Sequence, residues 1–554
     1  MNEIVINGQN LSIQDTILVA RGYHDGYRHH FPLVVLDEEI KEKLKIFREA
    51  LEERIAAKDI MYGVNTGCGI KKGTVISADE INNYQKHYIP AHCVAIGEFF
   101  PEEVVRAAMI FRVNSFALGH SGVRLELCEK ILEFYNKGII PCVPSQGSVG
   151  SSGDLCFLAH ISAALIGLKE QQVFFEGEIM SCEVALEKAR VQPISLKAKE
   201  AMALTNGSTF ILAQGILAIY DIENLIDTAN IAAALSLEAI RGEIDAFDER
   251  VHAIRKSEGA NNCAQVIRDL CCESKRMSKA SQDKTLPAEK HIKKFDVQGK
   301  PVPRVQDAYS FRAHAQVMGS VMEAFDFCKE IFKRELNAAT DNPLIFEEGD
   351  GFRAISGGNF HGEPLAQAAD FLKIAVQQLA NISDRRFYAL TMPSTSYGLP
   401  ADLVGLSNPD LNTGLMILQY STAALVNENK SLCHPSVIDS IPTSANQEDY
   451  VSMGATSAKF LRKVVENTTY VVAAELLAAA QGISWTEEDL GPDLSPLGTK
   501  TKRAYNFIRQ YVKVMDDDRF IQADWLKIIE QIKNQEFVRY VYDDNPGCRY
   551  LHIH

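Results

Sequence analysis

Two adjacent serines set among glycines form the segment of this chain best suited to chemistry: Gly147-Ser148-Val149-Gly150-Ser151-Ser152-Gly153-Asp154-Leu155. The segment runs straight into an apolar stretch that reads as a helix, and four kinds of chemistry are compatible with it. It can be a plain loop whose Ser or Asp caps the helix by accepting from the free amides of the first turn. It can cradle a phosphate, although no Lys stands at the Walker position. It can present a serine nucleophile, although neither serine fits a G-x-S-x-G frame and no strand precedes it. Or it can react with itself. In a strained turn the Gly153 nitrogen attacks the Ser151 carbonyl, since glycine carries no side chain to bar the approach; the carbonyl oxygen leaves as one water and the Ser152 hydroxyl as a second. The product, a 4-methylideneimidazole-5-one ring, is an electrophile that needs no external cofactor, and a helix N-terminus beside it stabilises developing negative charge. Residue types and spacing alone leave these four open.

Such a turn must be held by a rigid frame, and the frame reads as helical. Apolar residues recur at helical spacing over Glu38 to Ala56, Glu102 to Leu118, Leu125 to Tyr135, Leu155 to Leu168, Thr209 to Ile240, Phe311 to Asn337, Pro364 to Ala389, Leu411 to Leu432 and Thr456 to Gln481. Ile211 to Ile219 and Val471 to Ala480 are apolar on nearly every face, which places them in a central bundle or a subunit interface. Weak alternation of Ile4 and Ile6 with Leu11 and Ile13 suggests a small hairpin around Asn7-Gly8. Two loops stand out: Tyr62 to Gly73, rich in glycine, and the basic stretch Ser274 to Arg304, read as solvated or paired with acidic surface.

The 554 residues suffice for a large core and several subdomains. We expect an N-terminal part over 1–205, a long-helix bundle over 206–482 and a helical extension over 483–554. Lys and Arg number 57 against 72 Asp and Glu, a formal charge of −15. That argues against nucleic-acid or anionic-membrane binding, which need basic surface. The twelve cysteines include no C-x-x-C pair and no zinc-finger spacing, so reduced, buried thiols in a cytoplasmic protein are expected. The opening MNEIVINGQN has no basic and apolar leader, and no charge-free run of membrane-spanning length is evident.

Gly147 to Leu155 resembles the prosthetic-group motif of the histidine/phenylalanine ammonia-lyase family, and the similarity continues along the chain. Tyr62-Gly63-Val64-Asn65-Thr66-Gly67 is similar to the family's tyrosine loop, Thr205-Asn206-Gly207 to its asparagine site, and Gln306-Asp307-Ala308-Tyr309-Ser310-Phe311-Arg312 to its Q-D-x-Y-S-x-R segment. NAATDNPLIF over Asn337 to Phe346, SGGNFHGEP over Ser356 to Pro364, and DSIPTSANQEDYVSMG over Asp439 to Gly454 match as well. A series of ordered blocks is far more specific than any one motif. The resemblance implies an all-α fold of the fumarase/aspartase-like kind, with long central helices and a small N-terminal loop or hairpin region. It also implies a homotetramer whose sites each draw on three chains, and a 4-methylideneimidazole-5-one group made from Ser151, Ser152 and Gly153. Tyr62 would remove a β-proton, and Arg312 would hold the substrate carboxylate bidentately, as a planar guanidinium can. Asn206, Gln306 and Tyr309 would line the electrophile and the amino group, and Phe360 would pack by the ring. The chemistry fits the requirement, because a phenol with a pKa of about 10 cannot remove so weak an acid unaided. Ammonia leaves poorly unless bonded to an electron sink, and the Tyr would need a depressed pKa.

Two positions speak to the substrate. Ala91-His92 resembles the selectivity pair of the histidine branch, where the His bonds an imidazole, and Glu448 resembles a carboxylate that faces that ring. Together they imply elimination of ammonia from L-histidine to give urocanate. Several residues depart from the usual pattern: Ser151 where Ala is usual, Cys68 for Phe, Ala308, Ala315 and Phe157 for Pro, Tyr450 for His, and an acidic Asp402. Alternatives are a lyase of the same fold acting on a modified histidine such as ergothioneine, with release of trimethylamine and no need of the electrophile. Others are an aromatic lyase or 2,3-aminomutase, and a non-catalytic scaffold, against which the joint presence of Tyr62, Ser152, Asn206, Tyr309 and Arg312 argues.

Overall fold

The helical period legible in the sequence becomes helix along most of the chain. The computed structural model of the protein describes residues 3–24, 29–151, 153–286, 289, 304–349, 351–405 and 407–543. It is 60% helix and 9% strand, the strands falling in small sheets of two or three, so the all-α class holds. Helix bounds follow the apolar pattern closely: Glu38–Ala56, Glu102–Ala117, Leu125–Asn136, Leu155–Leu165, Thr209–Ala239, His314–Glu335, Glu363–Thr391, Met416–Leu432 and Gly454–Leu490.

No hairpin forms at Asn7-Gly8. Glu3–Ile6 instead pairs in parallel with Leu33–Leu36. The reason is local: Ser12 accepts from the Asp15 amide while the Asp15 carboxylate accepts from the Ser12 amide, a capping box that starts the helix Ile13–Arg21 where a second strand would have to run. The Asn7 side chain turns the chain by accepting from the amides of Gln9 and Asn10. The N-terminal hairpin lies further on, between Tyr23–His24 and His29–His30.

The chain folds into two compact units, neither continuous in sequence: Met1–Tyr220 with Cys328–Asp370 and Pro435–Arg462, and Asp221–Phe327 with Phe371–His434 and Lys463–His554. The helices Thr209–Ala239 and Gly454–Leu490 each have residues in both units. In the first unit the helix Glu102–Ala117 is buried from Val104 to Ala117 apart from Arg106. Thr209–Ala239 is long and apolar enough to cross a membrane by length and composition, but 83% of its apolar window is buried inside the protein. Within the second unit, Asn224 of this helix donates to the Ile532 carbonyl and Glu238 accepts from the Gly498 amide and the Thr501 hydroxyl.

The basic stretch Ser274 to Arg304 is not simply a solvated loop. Arg276 is fully buried, donating to the Glu238 carbonyl and the Thr486 hydroxyl, and Arg304 grips the Asp307 carboxylate and the Ile240 and Arg241 carbonyls. Guanidinium groups carry enough donors to close open helix carbonyls, which lysines do less well. Lys290, Lys293, Lys294 and Lys300 lie outside the described residues. Every described cysteine is a free thiol.

In the second unit the helices Glu258–Leu270 and His314–Glu335 approach so closely at Gly259 and Gly319 that a Cβ on Gly319 would stand 2.3 Å from the Ala260 nitrogen. Replacing Gly319 by Val forces the backbones apart, and the expected loss of stability is about 2 kcal/mol or more, read from the denaturant midpoint.

Candidate active site

The glycine-rich turn is fastened on every side within the first unit. The Val149 carbonyl accepts from the Met453 amide, and the Gly150 carbonyl accepts from the Gly362 amide and the Ser452 hydroxyl. Gly153 and Gly207 lie side by side as an isolated parallel bridge, and the Asp154 amide donates to the Gly207 carbonyl at 2.7 Å. A Cβ on Gly153, whose φ is +74°, would fall 2.1 Å from the Gly207 carbonyl carbon. Position 153 therefore admits glycine alone, for its conformation and for the approach. Asp154 ties the turn to the start of Thr209–Ala239 by accepting from the Phe210 and Ile211 amides and the Ser148 hydroxyl. Ser151 is buried, and its hydroxyl, absent from the usual motif, donates to the Tyr450 carbonyl, so the substitution finds its own partner. Ser152 lies outside the described residues.

Asn206, next to Gly207, is held by a buried polar cluster. Its carbonyl accepts from Arg112 at 2.7 Å, and its side-chain amide donates to the Asn342 carbonyl and the Asp341 carboxylate. Lys199 completes the cluster with a fully buried ion pair to Asp341 at 2.8 Å and a bond to the Asn342 carbonyl at 3.0 Å. Burial pushes both cations down from their ordinary values, Arg112 to about 10, while Asp341 works in the other direction. Arg112, Lys199 and Asp341 were not among the expected site residues. Asp341 sits inside the matched NAATDNPLIF block, but nothing in spacing reveals a partner 142 positions away.

A cavity of about 790 Å³ opens beside the turn. Its lining brings together Tyr62, His92, Asn206, Phe360 and Glu448, with Leu155 of the helix that follows the turn. The Tyr62 loop reaches it through one 3-10 turn, Gly69–Lys71, and packs on the segment 444–448, where the Ile70 amide donates to the Ser444 hydroxyl. Ser444, Ala445 and Asn446 all have φ near +50 to +67°, a left-handed run in three non-glycine residues and a strained stretch of the kind that gathers at functional sites. It ends at Glu448, whose carboxylate accepts from the Thr443 hydroxyl.

Three side chains fix the electrostatics. The His92 ring stacks on Tyr88, centroids 4.0 Å apart, and its Nδ1 lies 2.6 Å from the Tyr88 carbonyl. A carbonyl can only accept, so Nδ1 carries the proton and Nε2 is left as an acceptor. The Tyr62 phenol, half-buried, is pushed above its ordinary value by desolvation; the Gly69 amide donating to its oxygen at 3.2 Å pulls the other way and does not win. That is opposite to what a proton-abstracting phenol needs, and the Glu448 carboxylate raises it further. Cys68 bonds Tyr84 at 3.2 Å, and burial raises its thiol as well, so it is a neutral wall residue rather than a nucleophile.

Three expected site residues do not line this cavity. Gln306, Tyr309 and Arg312 belong to the second unit, with Gln306 and Tyr309 exposed. The Arg312 guanidinium lies 4.6 Å from the Tyr309 ring centre and forms no ion pair among the described residues. Its Nε is buried without a hydrogen-bond partner.

Comparison with known proteins agrees with this geometry. The family described as aromatic amino acid lyase matches residues 11–510. The chain belongs to that family. It is accordingly a carbon–nitrogen lyase. It is 44% identical over 531 residues to histidine ammonia-lyase 2 of Fusobacterium nucleatum, with 96% of each chain covered. The crystal structure of histidine ammonia-lyase from Trypanosoma cruzi superposes with a TM-score of 0.85 at 32% identity, covering 100% of this chain and 97% of that one. Ergothionase from Treponema denticola, an ergothioneine-degrading enzyme, superposes with a TM-score of 0.83 at 27% identity, covering 97% of this chain and 100% of that one.

In this lyase the Asp154 carboxyl titrates far from its usual range. Burial raises it to about 7, against the three bonds it accepts. The unfolded chain releases that proton near pH 4 and the folded one near pH 7, so this group lowers stability as pH rises between those values. Asp154→Asn keeps an acceptor for the Phe210 and Ile211 amides. Its unfolding free energy is expected to lose that falling component between about pH 4 and 7 relative to the parent, as followed by denaturant titration across that range.

Proposed function

We propose that this lyase eliminates ammonia from L-histidine to give urocanate, in the cytoplasm, as a homotetramer with shared sites. Its electrophile would be a 4-methylideneimidazole-5-one group made from Ser151, Ser152 and Gly153. The observation that carries the reading is the pair His92 and Glu448 across one cavity. Both present acceptors, His92 through Nε2 and Glu448 through its carboxylate, and they suit an imidazole, whose neutral ring offers one N–H donor and whose cation offers two. A phenyl ring would leave each unpaired at a cost of about 1–3 kcal/mol. The names of the curated relatives point the same way.

The turn suits the group: the glycine-only contact at 153 presses the backbone into a bend, and Asn206 and Leu155 on either side line the cavity. When formed, the group supplies the electron sink that turns the amino group into a leaving group. The chain's own residues do the rest. Asn206, fixed by Arg112 and Asp341, presents its amide next to the turn. Phe360 and Tyr84 give the cavity part of its apolar wall. Tyr62 takes the β-proton at its phenol oxygen. Because desolvation raises the Tyr62 phenol, we assign the cation that would offset it, and the grip on the substrate carboxylate, to Arg312 of another copy, with its Tyr309 and Gln306.

Incubation with L-histidine is expected to raise near-ultraviolet absorbance as urocanate accumulates. No rise, with trimethylamine released from ergothioneine instead, overturns the substrate assignment. Ser152→Ala and Tyr62→Phe are each expected to lose activity by at least about a hundredfold without change of assembly. Tyr62→Phe and Arg312→Ala subunits, each inactive alone, are expected to regain part of the activity when refolded together. No recovery in mixed tetramers contradicts the shared site.

A further inference from the structure

The second unit contains an ion pair that the proposed chemistry does not use. Arg386 and Glu475 are both fully shielded from solvent and pair through two guanidinium nitrogens, one contact at 2.9 Å. Glu475 also accepts from the Ser236 hydroxyl at 2.7 Å and the Ser383 hydroxyl at 2.6 Å, so its oxygens are saturated. Arg386 has one nitrogen left over. Its Nη1 donates to the Ser310 carbonyl at 3.3 Å and to His314 Nδ1 at 3.1 Å. The acceptor role of Nδ1 puts the His314 proton on Nε2, which donates to the Asn230 side chain at 3.0 Å.

A buried ion pair is a poor way to add stability, because desolvation takes back most of the attraction and an apolar pair of equal volume does as well. What an apolar pair could not do is reach a backbone carbonyl. The carbonyl reached belongs to Ser310, between Tyr309 and Arg312. The same stretch is held at its other end: Asp307, almost fully buried, accepts from the Glu243 amide at 2.6 Å and from Arg304, and the Tyr397 hydroxyl donates to the Gln306 carbonyl. The stretch 306–312 is thus held at the Gln306 carbonyl, the Asp307 carboxylate and the Ser310 carbonyl, while Gln306 and Tyr309 remain exposed and the Arg312 Nε has no partner.

We propose that Arg386 and Glu475 are positioning residues for carboxylate recognition: through the Ser310 carbonyl they set the direction in which Arg312 meets the substrate. The proposal rests on the reading of Arg312 as the carboxylate ligand. A two-pronged guanidinium–carboxylate bond depends on angle as well as distance, so small rotations of the segment weaken it first.

The test uses the whole enzyme carrying Arg386→Lys, which keeps a cation for Glu475 but cannot reach Ser310 and His314 together. Two competitive inhibitors are compared, imidazolepropionate with a carboxylate and histamine without one. We expect imidazolepropionate to bind about tenfold more weakly to the variant and histamine to change less than about twofold. KM for histidine should rise more than kcat falls. Equal weakening of both inhibitors, or no change in a folded variant, overturns the proposal. Should Arg386→Lys fail to fold, Ser383→Ala removes a single bond to Glu475 and is expected to show the same selective loss at about threefold; an unselective effect there overturns it equally. Parent enzyme insensitive to imidazolepropionate would remove the histidine reading itself, and this proposal with it.

Discussion

Everything in the cavity is referred to one contact, the meeting of Gly153 with Gly207. Two backbones come together there without a side chain between them, and the Asp154 amide and carboxylate bond the turn to the residues on either side of the Thr209 helix start. The turn is therefore set by a long helix rather than by its own loop. The same contact places Asn206 one residue from Gly207, so Asn206 and the turn cannot move independently. A side chain at either glycine would separate them: at 207 it would meet the Arg112 guanidinium, the donor that holds Asn206.

Each unit keeps buried ionisable side chains, and they do different work. Lys199 and Asp341 fix Asn206; Arg386 and Glu475 fix the 306–312 segment; Asp154 bridges the turn to a helix. None is the cheapest route to stability. Each bonds a backbone or side chain that an apolar residue could not orient, which suits a site that depends on angles. Tyr62 shows the complementary case. Its phenol is harder to ionise than free tyrosine, so the proposed acid–base step needs a compensating positive charge.

The helices and their order were legible because amphipathic and all-apolar periods persist over many turns, as in Glu38–Ala56 and Thr209–Ala239. So were Tyr62, His92, Asn206, Phe360 and Glu448, which matched motifs and share the cavity. Three kinds of feature were not legible. The Asn7-Gly8 signal was overruled by the Ser12–Asp15 capping box, a local contest between two valid patterns. The left-handed run at Ser444, Ala445 and Asn446 has no glycine to announce it. Lys199 with Asp341, and Arg386 with Glu475, are pairs distant in sequence, and only the fold shows which charge answers which. Gln306, Tyr309 and Arg312 match a motif but belong to the second unit, and a motif does not say which copy of a chain completes a site.

The central claim is that the turn at 151–153 closes on itself. The direct measurement is the mass of the intact, active chain and of the proteolytic peptide that spans the turn. The account predicts a deficit of two waters, about 36 Da, confined to that peptide and absent from Ser152→Ala. Full sequence mass in a preparation that turns over histidine would contradict it.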